Sequence, residues 1–149
     1  MASIPRNSDV STVLCRLALH SVTCLNEKDF DFTSPNGLEV AACVAEDYRC
    51  KVEGMEPATW KQMTMAWRHM YGNPAMSGPD CYFEVENMSA LVDERKGTTL
   101  VYFNMRWMQG VPITDWVVEH TWKRRTDKKW VLVTSHSVQG SNVKQGYGF

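Results

Sequence analysis

Residues 98–138 alternate apolar and polar side chains through three runs joined by two short turns. Alternation with a period of two marks a strand with two unlike faces, so this stretch commits the chain to an antiparallel meander. In the middle run, Trp116, Val118, His120 and Trp122 share one face, and Val117, Glu119, Thr121 and Lys123 share the other. His120 is therefore the one ionisable group on an apolar face, and a candidate site starts there.

Turn length sets which residues oppose one another. Pairing Gln109 with Thr114 across residues 110–113 puts Trp107 opposite Trp116, Met105 opposite Val118, Phe103 opposite His120 and Val101 opposite Trp122. On the other face Asn104 then meets Glu119, Tyr102 meets Thr121, and Arg106 lies diagonal to Glu119. Pairing Arg125 with Trp130 sets Ser135 beside His120 and His136 beside Glu119; a slip of one residue would replace Ser135 by Thr134. Upstream, a four-residue turn after Asp93 brings Ala90, Met88 and Glu86 to the His120 face. A three-residue turn brings Leu91, Ser89 and Asn87 instead, and both remain open.

The first half of the chain has helical periodicity. Ser8 or Asp9 is a candidate cap for a helix over residues 10–25, striped by Val10, Val13, Leu14, Leu17, Cys24 and Leu25. A second helix is expected over residues 38–46, followed by a strand over residues 48–52 that buries Tyr48, Cys50 and Val52. Thr59 would cap a third helix over residues 60–71, whose Trp60, Met63, Trp67 and Met70 recur at helical spacing until Gly72, Asn73 and Pro74 stop it. Helices ahead of a long meander define an α+β domain, with three helices across one face of a curved antiparallel sheet. The second face is mixed aromatic and polar, which fits cover by another subunit.

Sixteen Lys and Arg against 17 Asp and Glu give a net charge of -1, so no basic excess recruits nucleic acid or an anionic membrane. No apolar run is long enough to span a bilayer, and residues 1–9 are polar and do not resemble a secretory signal. The five cysteines are irregularly spaced, without metal-ligand patterns, which points to a reduced, cytoplasmic protein without a structural metal. No glycine-rich loop precedes a helix, and no cofactor is expected. The 149 residues read as one domain, with an ordered core over residues 10–139 and a Gly-rich tail over residues 140–149. Six Trp and nine Met fit either a Met-filled core or a roomy cavity for an apolar ligand.

Three stretches carry a family resemblance. They are Asn26-Glu27-Lys28-Asp29-Phe30-Asp31 leaving the first helix, Ala45-Glu46-Asp47-Tyr48 leading into the first strand, and Lys129-Trp130-Val131-Leu132-Val133 with His136-Ser137 at the last strand. In this order they resemble the SnoaL-like branch of the nuclear transport factor 2-like superfamily over residues 10–139. The resemblance implies a cone-shaped sheet wrapped around the helices, a deep pocket between them, and homodimers packed through the outer sheet face. Family members include cyclases, isomerases, dehydratases, epoxide hydrolases and binders without activity. Leu25 and Asn26 stand where the dehydratase branch carries a Tyr-Asp pair, and the texture looks closest to fungal secondary-metabolite cyclases and isomerases.

On this reading His120 is the candidate acid or base, with Glu86 as a carboxylate partner if it points inward, and Tyr48 orienting a substrate oxygen. Asn87 is the alternative to Glu86, and Ser135 the neighbour of His120. Trp60, Met63, Trp67, Phe103, Met105, Trp107, Trp116 and Trp122 would wall the pocket. The expected activity is that of a cofactor-independent cyclase or isomerase for a bulky apolar intermediate. The alternative is a dimeric binding module, with His120 a core histidine satisfied by Ser135 or a backbone carbonyl.

Overall fold

The first helix, α1 (Asn7–Asn26), buries Val10, Leu14, Leu17, Ala18 and Val22, a stripe at three- and four-residue spacing. The computed structural model describes residues 7–77, 80–108 and 114–140. It continues with α2 (Pro35–Ala41), β1 (Val44–Val52), α3 (Trp60–Tyr71), the short α4 (Pro74–Ser77), β2 (Tyr82–Asp93), β3 (Thr98–Met108), β4 (Thr114–Arg124) and β5 (Trp130–Gln139). The second helix is shorter and earlier than its alanine spacing suggests. Ser34 starts it by accepting the Gly37 N–H at 3.0 Å, and the chain is already extended at Val44. The third helix has the expected bounds, opened by a capping box between Thr59 and Gln62.

The five strands form one curved, unclosed sheet in the order β1-β5-β4-β3-β2, giving the expected α+β architecture. All neighbours are antiparallel except β1 and β5, which run parallel with Cys50 opposite Ser135. This pair brings Tyr48 and Ser135 together from strands separated by most of the chain. Helix α1 packs on β2, β3 and α2, while α3 lies against β1, so the sheet curls over the helices.

Two side-chain clamps hold the first helices in place. Asn26 pairs with the Phe83 backbone as a strand neighbour would: its Nδ2 donates to the carbonyl at 2.9 Å, and its Oδ1 accepts the N–H at 2.7 Å. Asp29 accepts the N–H groups of Thr33 and Ser34, both at 3.0 Å, and these two residues hold its carboxyl down at about 2. Gly37 comes so close to this turn that a Cβ there would lie 2.7 Å from Phe32 Cα. The residues that leave the first helix thus act as a structural joint.

The hairpin registers differ from the expected ones in an instructive way. Across β3 and β4, Trp107 opposes Thr114, Met105 opposes Trp116, Phe103 opposes Val118 and Val101 opposes His120. The slide is two residues, so every side chain keeps its face while changing its partner. The turn that sets it falls at residues 109–113, outside the described residues. Arg106 consequently meets Asp115 and donates to it from Nε at 2.8 Å, and Glu119 meets Tyr102. Across β4 and β5, His120 does oppose Ser135, and Glu119 opposes His136. The hairpin starts from Arg124 and Trp130, and an irregularity between Thr121 and Trp122 restores the pairing at His120.

Between β2 and β3 the turn has four residues, with Asp93 opposite Thr98. A bulge then intervenes: Glu86 pairs with Asn104 and Ser89 with Tyr102, leaving Asn87 and Met88 against Phe103. Asn87 adopts a left-handed φ of 55°. The extra residue reverses the alternation, so Glu86 and Asn87 are exposed and Glu86 shares the outer face with Asn104, while Val85 and Phe83 turn inward. Neither turn length alone could have resolved the choice between Glu86 and Asn87, because both assumed an unbroken ladder.

Candidate functional site

Helix α3 presents Trp60, Met63 and Trp67 toward β1 and the inner sheet face, and the space between them is a cavity of about 230 Å³. Phe32 packs behind the indoles, its ring centroid 4.8 Å from Trp60 and 6.3 Å from Trp67, and Trp60 meets Tyr48 edge-on at 5.3 Å. From the sheet come Phe103, Met105, Trp116, Val118 and His120, and from β1 and β5 come Tyr48, Cys50, Ser135 and Ser137. Phe83 and Tyr71 close one end with an edge-to-face contact at 5.1 Å. The loop between β1 and α3 contributes Met55 and Glu56. That loop is pinned at its base by reciprocal backbone hydrogen bonds between Cys50 and Ala58, at 2.7 and 2.8 Å.

His120 is only 7% exposed, and burial pushes its pKa down to about 4, so the imidazole is neutral at neutral pH. Its ring stands edge-on to Phe103 at 5.3 Å, and its Nδ1 is buried without a hydrogen-bond partner. Ser135 does not satisfy it. The Ser135 hydroxyl instead accepts from the Tyr48 hydroxyl at 2.8 Å, which also lies 3.3 Å from Met63 Sδ. Burial raises the Tyr48 phenol well above its ordinary range, so it too stays protonated. With one lone pair taken by Tyr48, Ser135 keeps its own hydrogen free to donate.

Of the residues expected at the site, His120, Tyr48, Ser135, Trp60, Met63, Trp67, Phe103, Met105 and Trp116 line this cavity. Trp122 does not; it is 1% exposed in the core beneath His120. Trp107 stacks on Phe83 at 6.2 Å and meets Tyr71 edge-on at 5.6 Å, buttressing the end of the cavity. Glu86 lines a separate recess of about 220 Å³ on the outer face with Asn104, Arg106 and Asp115. The sequence reading missed Tyr71 and Phe83, the first four residues beyond Trp67 on α3, the second hidden by the bulge. Met55 and Glu56, between Gly54 and Pro57, also line the cavity, and no periodicity in that short segment marks them for it. Among the described residues no cluster of His, Cys, Asp and Glu is placed to hold a metal ion, and no helix is long and apolar enough to cross a membrane.

No family model and no curated protein matches the chain. Solved structures do match. An NTF2-like protein of unknown function from Pseudomonas putida KT2440 superposes with a TM-score of 0.67 at 13% identity, covering 90% of this chain and 89% of that one. LinA gives a TM-score of 0.65 at 10% identity, covering 85% and 83%. A ketosteroid isomerase-like protein from Parabacteroides distasonis gives 0.51 at 15% identity, covering 78% and 84%. At such identities the likeness concerns the fold, and the fold is the NTF2-like cone that the sequence motifs resemble.

Proposed function

We propose that the protein is a cofactor-independent isomerase or cyclase that moves a proton on an apolar natural-product intermediate, a polyketide, terpenoid or alkaloid, bound in this cavity. One juxtaposition carries the reading: a neutral, unpartnered imidazole shares an apolar chamber with a hydroxyl pair, Tyr48 and Ser135, that has a hydrogen to donate. His120 accepts a proton from carbon beside a carbonyl, and Ser135 donates to the carbonyl oxygen as charge builds there. Trp60, Met63, Trp67, Met105 and Trp116 fix the substrate's shape and keep water out. The ketosteroid isomerase-like structure among the fold relatives supports this direction, and dehydration by the same groups is the lyase variant of it.

The test uses 2-tetralone, an uncharged bicyclic ketone with acidic α-hydrogens, incubated with the protein in D₂O and followed by NMR. The wild-type protein accelerates α-deuteration, and His120→Gln lowers that rate by about 10²-fold or more, the usual worth of a positioned base. An unchanged rate in a folded His120→Gln variant would remove His120 from the mechanism.

A binding module without activity is the second reading, and one feature favours it. Among the described residues lining the cavity, the carboxylate is Glu56 in the β1–α3 loop, and Glu86 lies on the outer face, so no carboxylate is seen to raise the basicity of His120. On that reading 2-tetralone binds without exchanging. In either case the molecule is proposed to act as a homodimer through the outer sheet face, where Leu91 is 65% and Val117 43% exposed. The five cysteines are all free, in keeping with the reducing cytoplasm proposed as its compartment.

A further inference from the structure

We infer that the cavity selects uncharged ligands of one or two fused rings that carry an oxygen function, and that it turns away carboxylates and phosphates. The inference rests on reading the cavity as a ligand site and goes further by naming the ligand's charge, size and polar group.

Charge is decided by what the lining lacks. Among the described lining residues, Glu56 is the one acidic side chain, and neither lysine nor arginine is present. An anion entering would leave water for walls of Trp, Met and Phe with no cation to pair it, which is strongly disfavoured. His120 could supply a positive charge only by taking up a proton, and burial opposes that down to about pH 4. Glu56 adds repulsion from the loop between β1 and α3.

Size follows from volume. A cavity of about 150 Å³ holds one benzene, and this one, at about 230 Å³, is roughly half as large again. Two fused rings fill it; four would have to project past the loop that carries Met55 and Glu56. The polar group follows from Ser135, whose oxygen is engaged by Tyr48 at 2.8 Å and whose hydrogen is free for a carbonyl or hydroxyl oxygen of the ligand.

Titration calorimetry at pH 7 with three probes tests this: 2-naphthol, its anionic counterpart 2-naphthoate, and the four-ring neutral 1-hydroxypyrene. The expected result is measurable binding of 2-naphthol, with the other two at least tenfold weaker. Ala66→Trp, a change at an exposed α3 position on the cavity lining, should abolish 2-naphthol binding while the circular dichroism spectrum stays unchanged. Binding of 2-naphthoate as tight as that of 2-naphthol would overturn the charge selection, and equal binding of 1-hydroxypyrene the size selection. Binding of 2-naphthol that survives both Ala66→Trp and Ser135→Ala would place the ligand elsewhere and overturn the inference. If none of the three binds, the ligand-site reading itself fails. Selective binding without deuteration of 2-tetralone would leave this inference standing and remove only the catalytic reading.

Discussion

At the scale of single residues, the chemistry turns on His120. An unfolded histidine takes up its proton near pH 6.5, whereas the buried His120 does so only at about 4. Between those values the unfolded chain binds more protons, so stability is complete above pH 6.5 and declines as the pH falls through about 4. The difference, some 2.5 pH units, corresponds to about 3 kcal/mol. Subtracting the urea-unfolding free energy of His120→Gln from that of the wild-type protein at each pH isolates this contribution from the carboxylates. The difference should favour the variant increasingly as the pH drops from 7 to 4. A flat difference would mean that His120 titrates normally and is not buried as neutral imidazole. The placement of His120 on the apolar face is plain from the alternation of residues 115–123. The hydroxyl pair beside it is not, because β1 is needed to bring Tyr48 to Ser135, and no local pattern announces a parallel pairing that joins residues 87 positions apart.

At the scale of elements, the bulge in β2 decides which side chains reach the cavity. Asn87 sits at a φ of 55°, a conformation that asparagine tolerates and β-branched residues resist. Asn87→Val should therefore cost about 1–2 kcal/mol, while Asn87→Gly should stay within about 0.5 kcal/mol of the original, both read from urea midpoints. Equal losses in the two variants would show that the Asn87 side chain, and not its backbone, sustains the bulge. Of the two turn lengths that the sequence leaves open, the molecule adopts the four-residue one, which brings Ala90 and Met88 inward as expected but not Glu86. With the four-residue turn in place Glu86 would face inward in a continuous ladder, and one extra residue turns it out again. A bulge leaves no mark on hydrophobic periodicity beyond a weak irregularity, here the run Glu86-Asn87-Met88-Ser89. The helix α3, in contrast, was legible to the residue, since its cap, its stripe and its Gly-Asn-Pro stop are all local.

At the scale of the whole molecule, one face of the sheet is covered by helices and the other carries exposed Leu91, Val117 and Tyr82. The proposed homodimer would bury this face, and a stable interface needs about 800 Å² from each partner. Leu91→Lys combined with Val117→Lys should convert a dimer to a monomer in sedimentation velocity without loss of secondary structure. A wild-type protein that sediments as a monomer at high concentration would exclude the dimer. The α+β order, the cap and bounds of α3, the inner and outer faces of β3 and β4, and the apolar setting of His120 are all written in the chain's local pattern. Each of these depends on contacts within a few residues, or on parity, which a slide of two residues between β3 and β4 leaves intact. The parallel seat of β1, the outward turn of Glu86, the Tyr48–Ser135 pair and the volume left open between α3 and the sheet arise only in the assembled fold. These depend on how distant elements meet, and a strand's alternation says which way a side chain points but not what stands opposite it.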